Sequence, residues 1–155
     1  MLATTNSDDT ERPGNDQVQV SGFPRRFDEE AARARQILLV DDHNLFRELL
    51  AVIFDRLTDL RVDVQARSAP EARRILSARN SNDFALAIVD LDLPDHGGPE
   101  LVGELRRSGI QVLALTAHRD SEQLAWASKS GPNEVLTTSA SCNQMLDMVR
   151  ELVGD

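Results

Sequence analysis

The stretch "AIVDLDLPDHGG" (residues 87–98) decides the fold. An apolar run ends in an acid, Asp90. A second acid, Asp92, follows two residues later, and then come Pro94, Asp95, His96 and a glycine pair. A short continuous apolar run is the pattern of a strand covered on both faces. Proline, aspartate and paired glycines mark a turn. The sequence therefore places a carboxylate where a buried strand emerges at the edge of its sheet.

The same grammar repeats on either side. "QILLV" (36–40) and "QVLALT" (111–116) are continuous apolar runs, and "RVDVQA" (61–66) alternates like a strand. "LAIVD" (86–90) and "EVLTT" (134–138) complete five predicted strands. Between them, "NLFRELLAVIFDRL" (44–57) carries apolar residues at 45, 46, 49, 50, 53 and 57, which is helical spacing. "SAPEARRILSAR" (68–79) opens with Ser68 and Glu71 in capping-box spacing. "PELVGELRR" (99–107) begins with a proline and is followed by Gly109. "SEQLAWASKS" (121–130) is a fourth predicted helix, stopped by Gly131-Pro132. "CNQMLDMVRELV" (142–153) is the last, with Ser141 and Gln144 as its capping box. This is an α/β chain of form (βα)5. Alternation of strands and helices implies a parallel sheet between two helix layers, joined by right-handed crossovers. The expected arrangement is a flavodoxin-like three-layer sandwich with strand order 2-1-3-4-5.

Residues 36–153 make up the predicted domain. Residues 1–35 are rich in Ser, Thr, Asn, Asp, Gly, Pro and Arg, and read as a disordered or partly helical extension. The formal net charge is −9, which argues against direct nucleic-acid binding by this chain. The single cysteine, Cys142, excludes an internal disulfide framework and suits a reducing compartment. No apolar run reaches transmembrane length, and no signal peptide is recognisable, so no membrane association and a cytoplasmic location are expected.

In such a sheet, ligands bind beyond the carboxyl ends of the strands, between strands 1 and 3. Strand 1 ends in Asp41 and Asp42, strand 3 in Asp90 and strand 4 in Thr116. Three carboxylates on one pocket repel, and at least one pKa rises. A hard divalent cation relieves the conflict, and Mg²⁺ suits a site of oxygen ligands and waters. Taken singly, each acid has an ordinary explanation. Asp41 or Asp42 would cap the helix at 44–57, and Asp92 and Asp95 are turn residues. Capping does not account for acids at two adjacent strand ends with a hydroxyl at the next.

"ILLVDDHNLFRELL", "IVDLDLPDHGGPEL" and "VLALTAH" together resemble the receiver domain of two-component response regulators, in particular those that usually precede a helix-turn-helix output domain. The likeness covers residues 36–153. It implies a phosphoryl group accepted on Asp90, four residues before Pro94, from a histidine kinase or phosphotransfer protein. It implies Mg²⁺ held by Asp41, Asp42, Asp90 and the backbone carbonyl of Asp92, with Asp41 acting through water. The Asp92 side chain falls where hydrolysis of the acyl phosphate is tuned, and Thr116 would sense the phosphoryl group. The implied chemistry is self-directed phosphoryl transfer rather than turnover of a separate substrate.

The likeness breaks at "GPNEVLTTS" (131–139). The family's lysine position falls on Thr138 and its aromatic switch position on Val135. Residues 131–149 contain no Lys or Arg, and the only lysine in the chain is Lys129. The expectation is an atypical receiver with a weakened readout. The alternative is a phosphorylation-independent pseudo-receiver that works as a protein-interaction module. Its partner face, also the expected homodimer face, would be the fourth helix, fifth strand and last helix, carrying Trp126, which faces outward, and Val135. Two enzyme-like features are discounted. The D-x-D of Asp90 and Asp92 resembles that of haloacid-dehalogenase-type phosphatases, but it lies on the third strand and follows the acid pair. His43, His96 and His118, all in loops at strand ends, are read as exposed polar residues rather than as Zn²⁺ or Mn²⁺ ligands. Cys142 is expected to pack with Leu146 and Val149.

Overall fold

The computed structural model describes residues 36–118 and 131–154. The N-terminal extension, the expected helix over 121–130, Trp126 and Lys129 lie outside the described residues. Five strands form one parallel sheet: β1 (Gln36–Val40), β2 (Arg61–Ala66), β3 (Phe84–Asp90), β4 (Val112–Thr116) and β5 (Glu134–Thr137). Their order is β2-β1-β3-β4-β5, as the sequence predicts. The described helices are α1 (Asn44–Leu57), α2 (Ala69–Ser77), α3 (Gly98–Arg107) and α4 (Cys142–Val153).

Alternating residues of β1, β3 and β4 feed two cores. Ile37 and Leu39 of β1, with Leu86 and Ile88 of β3, pack beneath Leu50 and Phe54 of α1 and Leu146 and Val149 of α4. Leu38 and Val40, with Ala87 and Val89, pack beneath Ala69 and Ala72 of α2 and Leu101, Val102 and Leu105 of α3. Right-handed crossovers require this division. The chain steps one way from β1 to β2 and the other way from β2 to β3, so α1 and α2 must lie on opposite faces.

Two sequence expectations about helices need correction. Leu45, Leu49 and Leu57, counted in the apolar stripe of α1, are exposed, whereas Leu50, Phe54 and Arg47 are buried. This helix is apolar on more than one side, and the sheet takes the 47/50/54 row. Arg47 is tolerated inside because its guanidinium donates to the Asp41 carbonyl at 2.6 Å, to Asn44 Oδ1 at 2.8 Å and to Gln65 Oε1 at 3.3 Å. Cys142 is exposed while Leu146 and Val149 are buried. It is the first residue of α4, beside a cleft lined by Phe46, Ile53 and Met145. The face it shares with Leu146 and Val149 is covered only further along the helix.

The caps largely follow the spacing. Ser141 and Gln144 form a reciprocal capping box on α4. At α2, Ser68 accepts from Glu71 N as expected, but the Glu71 carboxylate takes the Arg67 N–H rather than that of Ser68. Gly98 is required by close approach, since a Cβ there would lie 2.7 Å from the carbonyl oxygen of Asp90. Among the described residues no helix is long and apolar enough to cross a membrane.

Candidate functional site

The carboxyl ends of β1, β3 and β4 come together as the strand order requires. Asp41 and Asp42 leave β1, Asp90 closes β3 beside Leu115 of β4, and Thr116 ends β4. Asp41, Asp90 and Thr116 are 4%, 5% and 1% exposed. Ligand atoms of Asp41, Asp42, His43 and Asp90 all lie within 4.8 Å of one another. Neither aspartate of the pair caps α1. The N-cap is His43, with no side-chain cap bond, and Asp41 Oδ1 instead accepts from the His43 backbone N–H at 2.8 Å. The carboxylates are therefore left to the pocket.

Burial is the first cause of the high Asp90 pKa, which stands at about 6 against an ordinary 3.8. The charges of Asp41, Asp92 and Asp42 add to it, and a 2.8 Å hydrogen bond from Asp92 N to Asp90 Oδ1 partly offsets it. The expected repulsion is present but ranks behind desolvation. His43 joins the cluster. Its Nδ1 lies 2.9 Å from Asp41 Oδ1 and 3.3 Å from Asp42 Oδ1, and the hydrogen bond to Asp41, ahead of the two charges, raises its pKa. With 71% of its side chain exposed, it stands at the rim, where its protonated form is a counter-charge to the pair. His96, in the left-handed region with φ 58°, and the exposed His118 take no part in this cluster.

The cluster fits a hard cation. Asp42 Oδ1 is buried and has no hydrogen-bond partner among the described residues, while the donor set is carboxylate oxygen. A buried acceptor that makes no hydrogen bond is costly even with the His43 ring 3.3 Å away, and a divalent ion satisfies it.

Asp92 does something the sequence did not disclose. Its exposed side chain reaches across to β4, where its carboxylate accepts from Ala117 N at 2.8 Å and from the Thr116 hydroxyl at 3.2 Å. Asp95 is a turn residue, as expected, accepting from Gly97 N at 2.7 Å and from Ala69 N at 3.0 Å. Thr138 follows β5 and donates its backbone N–H to the Thr116 carbonyl at 2.9 Å. It lines a cleft of about 550 Å³ together with Asp41, Asp90, Asp92, Leu45, Phe46 and Leu49. Among the described residues no Lys or Arg lines this cleft. Val135, placed on the partner face by the sequence, is half-buried and packs on the α2–α3 core. Its position in the middle of β5, paired with Ala114, turns it inward.

The raised Asp90 pKa has a consequence for stability. The fold favours the neutral acid, so the stabilisation is complete below about pH 4 and lost as pH rises through about 6. Without metal, Asp90→Asn is expected to be more stable than the parent near pH 8, by on the order of 3 kcal/mol at most, and level with it near pH 4. Urea unfolding at the two pH values measures this. Equal gains at both would rule out the titration of Asp90 as the cause.

A doubly wound parallel sheet with an acid cluster at the β1/β3 switch point defines a receiver-type signalling fold. The model of the response regulator receiver domain matches residues 37–150, and the chain belongs to that family. Response regulator GacA of Pseudomonas protegens is 30% identical over 117 residues, which span 74% of this chain and 54% of that protein. A response regulator receiver protein of Anaeromyxobacter is 31% identical over 116 residues, spanning 74% and 47%. The chain thus covers about half the length of these relatives. Among solved structures, a LuxR-family two-component response regulator from Aurantimonas superposes with a TM-score of 0.68 at 26% identity, covering 77% of this chain and 84% of that one. Receiver domains of this family are signalling domains that interact with histidine kinases or phosphotransfer proteins and bind Mg²⁺ at an acidic pocket.

Proposed function

We propose that this chain accepts a phosphoryl group on Asp90 from a histidine kinase or phosphotransfer protein in the cytoplasm, with a weakened readout. The observation that carries the reading is the buried Asp90 carboxylate, grouped with Asp41 and Asp42 within 4.8 Å at the end of β3. In the transfer an Asp90 oxygen forms a bond to phosphorus as the P–N bond of a phosphohistidine breaks. The electron pair returns to the imidazole nitrogen. Asp41, Asp42, Asp90 and the Asp92 carbonyl would hold Mg²⁺, which when bound neutralises charge on the phosphoryl oxygens. Asp90 supplies the nucleophile, and Asp41 is held in place by His43 N and by the Asp41 carbonyl bond to Arg47. Leu45, 78% exposed, and Leu49 give the cleft an apolar rim on which a phosphodonor protein would seat. The weakened readout rests on Thr138, which has no ammonium to meet the phosphoryl oxygens, and on Val135, which has no ring to swing.

The same two residues favour the second reading, a pseudo-receiver that binds a partner without phosphate. Incubation with acetyl phosphate and Mg²⁺ followed by intact mass separates the two. The first reading expects one phosphoryl adduct that disappears in Asp90→Ala. No adduct, under conditions that label an ordinary receiver, leaves the second.

A further inference from the structure

We propose that Asp92 is an internal competitor for the phosphoryl group, holding the hydrogen-bond donors beside Asp90 until phosphorylation displaces it; this rests on the reading of Asp90 as the acceptor. The argument begins with what lies next to the Asp90 carboxylate. On its β4 side the donors are the Thr116 hydroxyl and the Ala117 N–H, one and two residues beyond Leu115, the β4 residue paired with Asp90. Both donate to the Asp92 carboxylate, at 3.2 and 2.8 Å. The Thr116 hydroxyl is further oriented by accepting from His118 N at 3.1 Å. These donors are thus arranged to hold an anion, and the chain's own carboxylate is the anion they hold.

Asp92 reaches them because its backbone is fixed over Asp90. Its N–H donates to Asp90 Oδ1, and Leu91 N donates to the Leu115 carbonyl at 2.8 Å. The side chain is exposed, so it is free to swing outward without disturbing packing. A phosphoryl group on Asp90 carries negative oxygens into the same small space. Among the described residues no Lys or Arg lines the cleft, and His43 is engaged with Asp41 and Asp42, so the phosphoryl oxygens depend on the Thr116 and Ala117 donors. Two anions cannot share the donors, because each hydrogen of the pair is directed at one acceptor and the charges repel. Phosphorylation therefore requires Asp92 to leave, and its departure is a built-in cost of forming the phosphorylated state.

The test measures the rate of phosphoryl uptake from acetyl phosphate with saturating Mg²⁺, by intact mass, in the full chain. Asp92→Ala removes the competing carboxylate from both donors and is expected to raise the rate about tenfold, the effect of roughly one hydrogen bond to a charged group. Asp92→Asn, whose neutral amide oxygen still accepts from Ala117, should gain less. Damage to the fold would slow uptake, so a gain is not a structural artefact. A gain also follows if Asp92 merely repels the donor through space, and Thr116→Val separates the two causes. With the hydroxyl removed, Asp92 competes only for the Ala117 N–H, so the gain from Asp92→Ala should shrink. A gain of equal size in both backgrounds, or no gain in either, overturns the proposal while leaving Asp90 as the acceptor. No uptake in any variant, beside a receiver that labels normally, overturns the acceptor reading and the proposal with it.

Discussion

Thr138→Lys is expected to speed phosphoryl uptake by Asp90 about 100-fold, the inverse of what removing one preorganised donor to a developing anion costs. Thr138 sits where its backbone N–H meets the Thr116 carbonyl, and its side chain borders the same cleft as Asp41, Asp90 and Asp92. It is exposed, so a longer side chain meets no packed core. Around it are three carboxylates, with His43 the one basic side chain among the described lining residues, and an ammonium introduced there lies among groups of opposite charge. The same ammonium should draw the Asp90 pKa down from its present value of about 6, which favours the nucleophilic carboxylate at neutral pH. Thr138→Met is the control, since it adds length without charge. Time courses of the phosphoryl adduct for the two variants decide the matter. If lysine and methionine behave alike, the missing charge is not what limits this site.

The second large effect is on stability. Phe54→Ala should cost about 3–5 kcal/mol, a large share of the roughly 5–15 kcal/mol that holds a domain folded. Phe54 is the fully buried ring of α1, in the core with Leu39, Ile88, Leu113 and Leu146. The ring anchors the helix that follows the acid pair and is N-capped by His43. Around it the sheet strands are rigid, so the cavity does not collapse. Urea unfolding should show the loss, with a melting temperature about 10 °C lower. Leu49→Ala on the same helix is the comparison. Leu49 is 53% exposed, and its truncation should cost far less. Similar losses at the two positions would mean that α1 does not present the face described.

The sequence on its own determined the fold and the identity of the acidic pocket. Continuous apolar runs such as 36–40 and 86–90 mean strands buried on both faces, and the helical period between them leaves few topologies. Given the order 2-1-3-4-5, Asp41, Asp42, Asp90 and Thr116 had to meet, because strand ends are one-dimensional landmarks. What the sequence left open concerns side-chain direction. Position 92 announces a carboxylate in a turn, and only the path of the β3–α3 loop turns it onto Thr116 and Ala117. The α1 sequence offers more than one apolar face, and contact with the sheet selected Leu50 and Phe54 and drew Arg47 inside. Cys142 shares a helical face with Leu146 and Val149 yet stays exposed, because periodicity specifies a direction around the axis and not how far along it the neighbouring layer extends. Val135 likewise took its side from the register of β5 on β4. Backbone periodicity is a local property written in neighbouring residues. The choice among equivalent faces, and the partner a polar side chain finds, belong to contacts between residues far apart in the chain, and packing alone decided them.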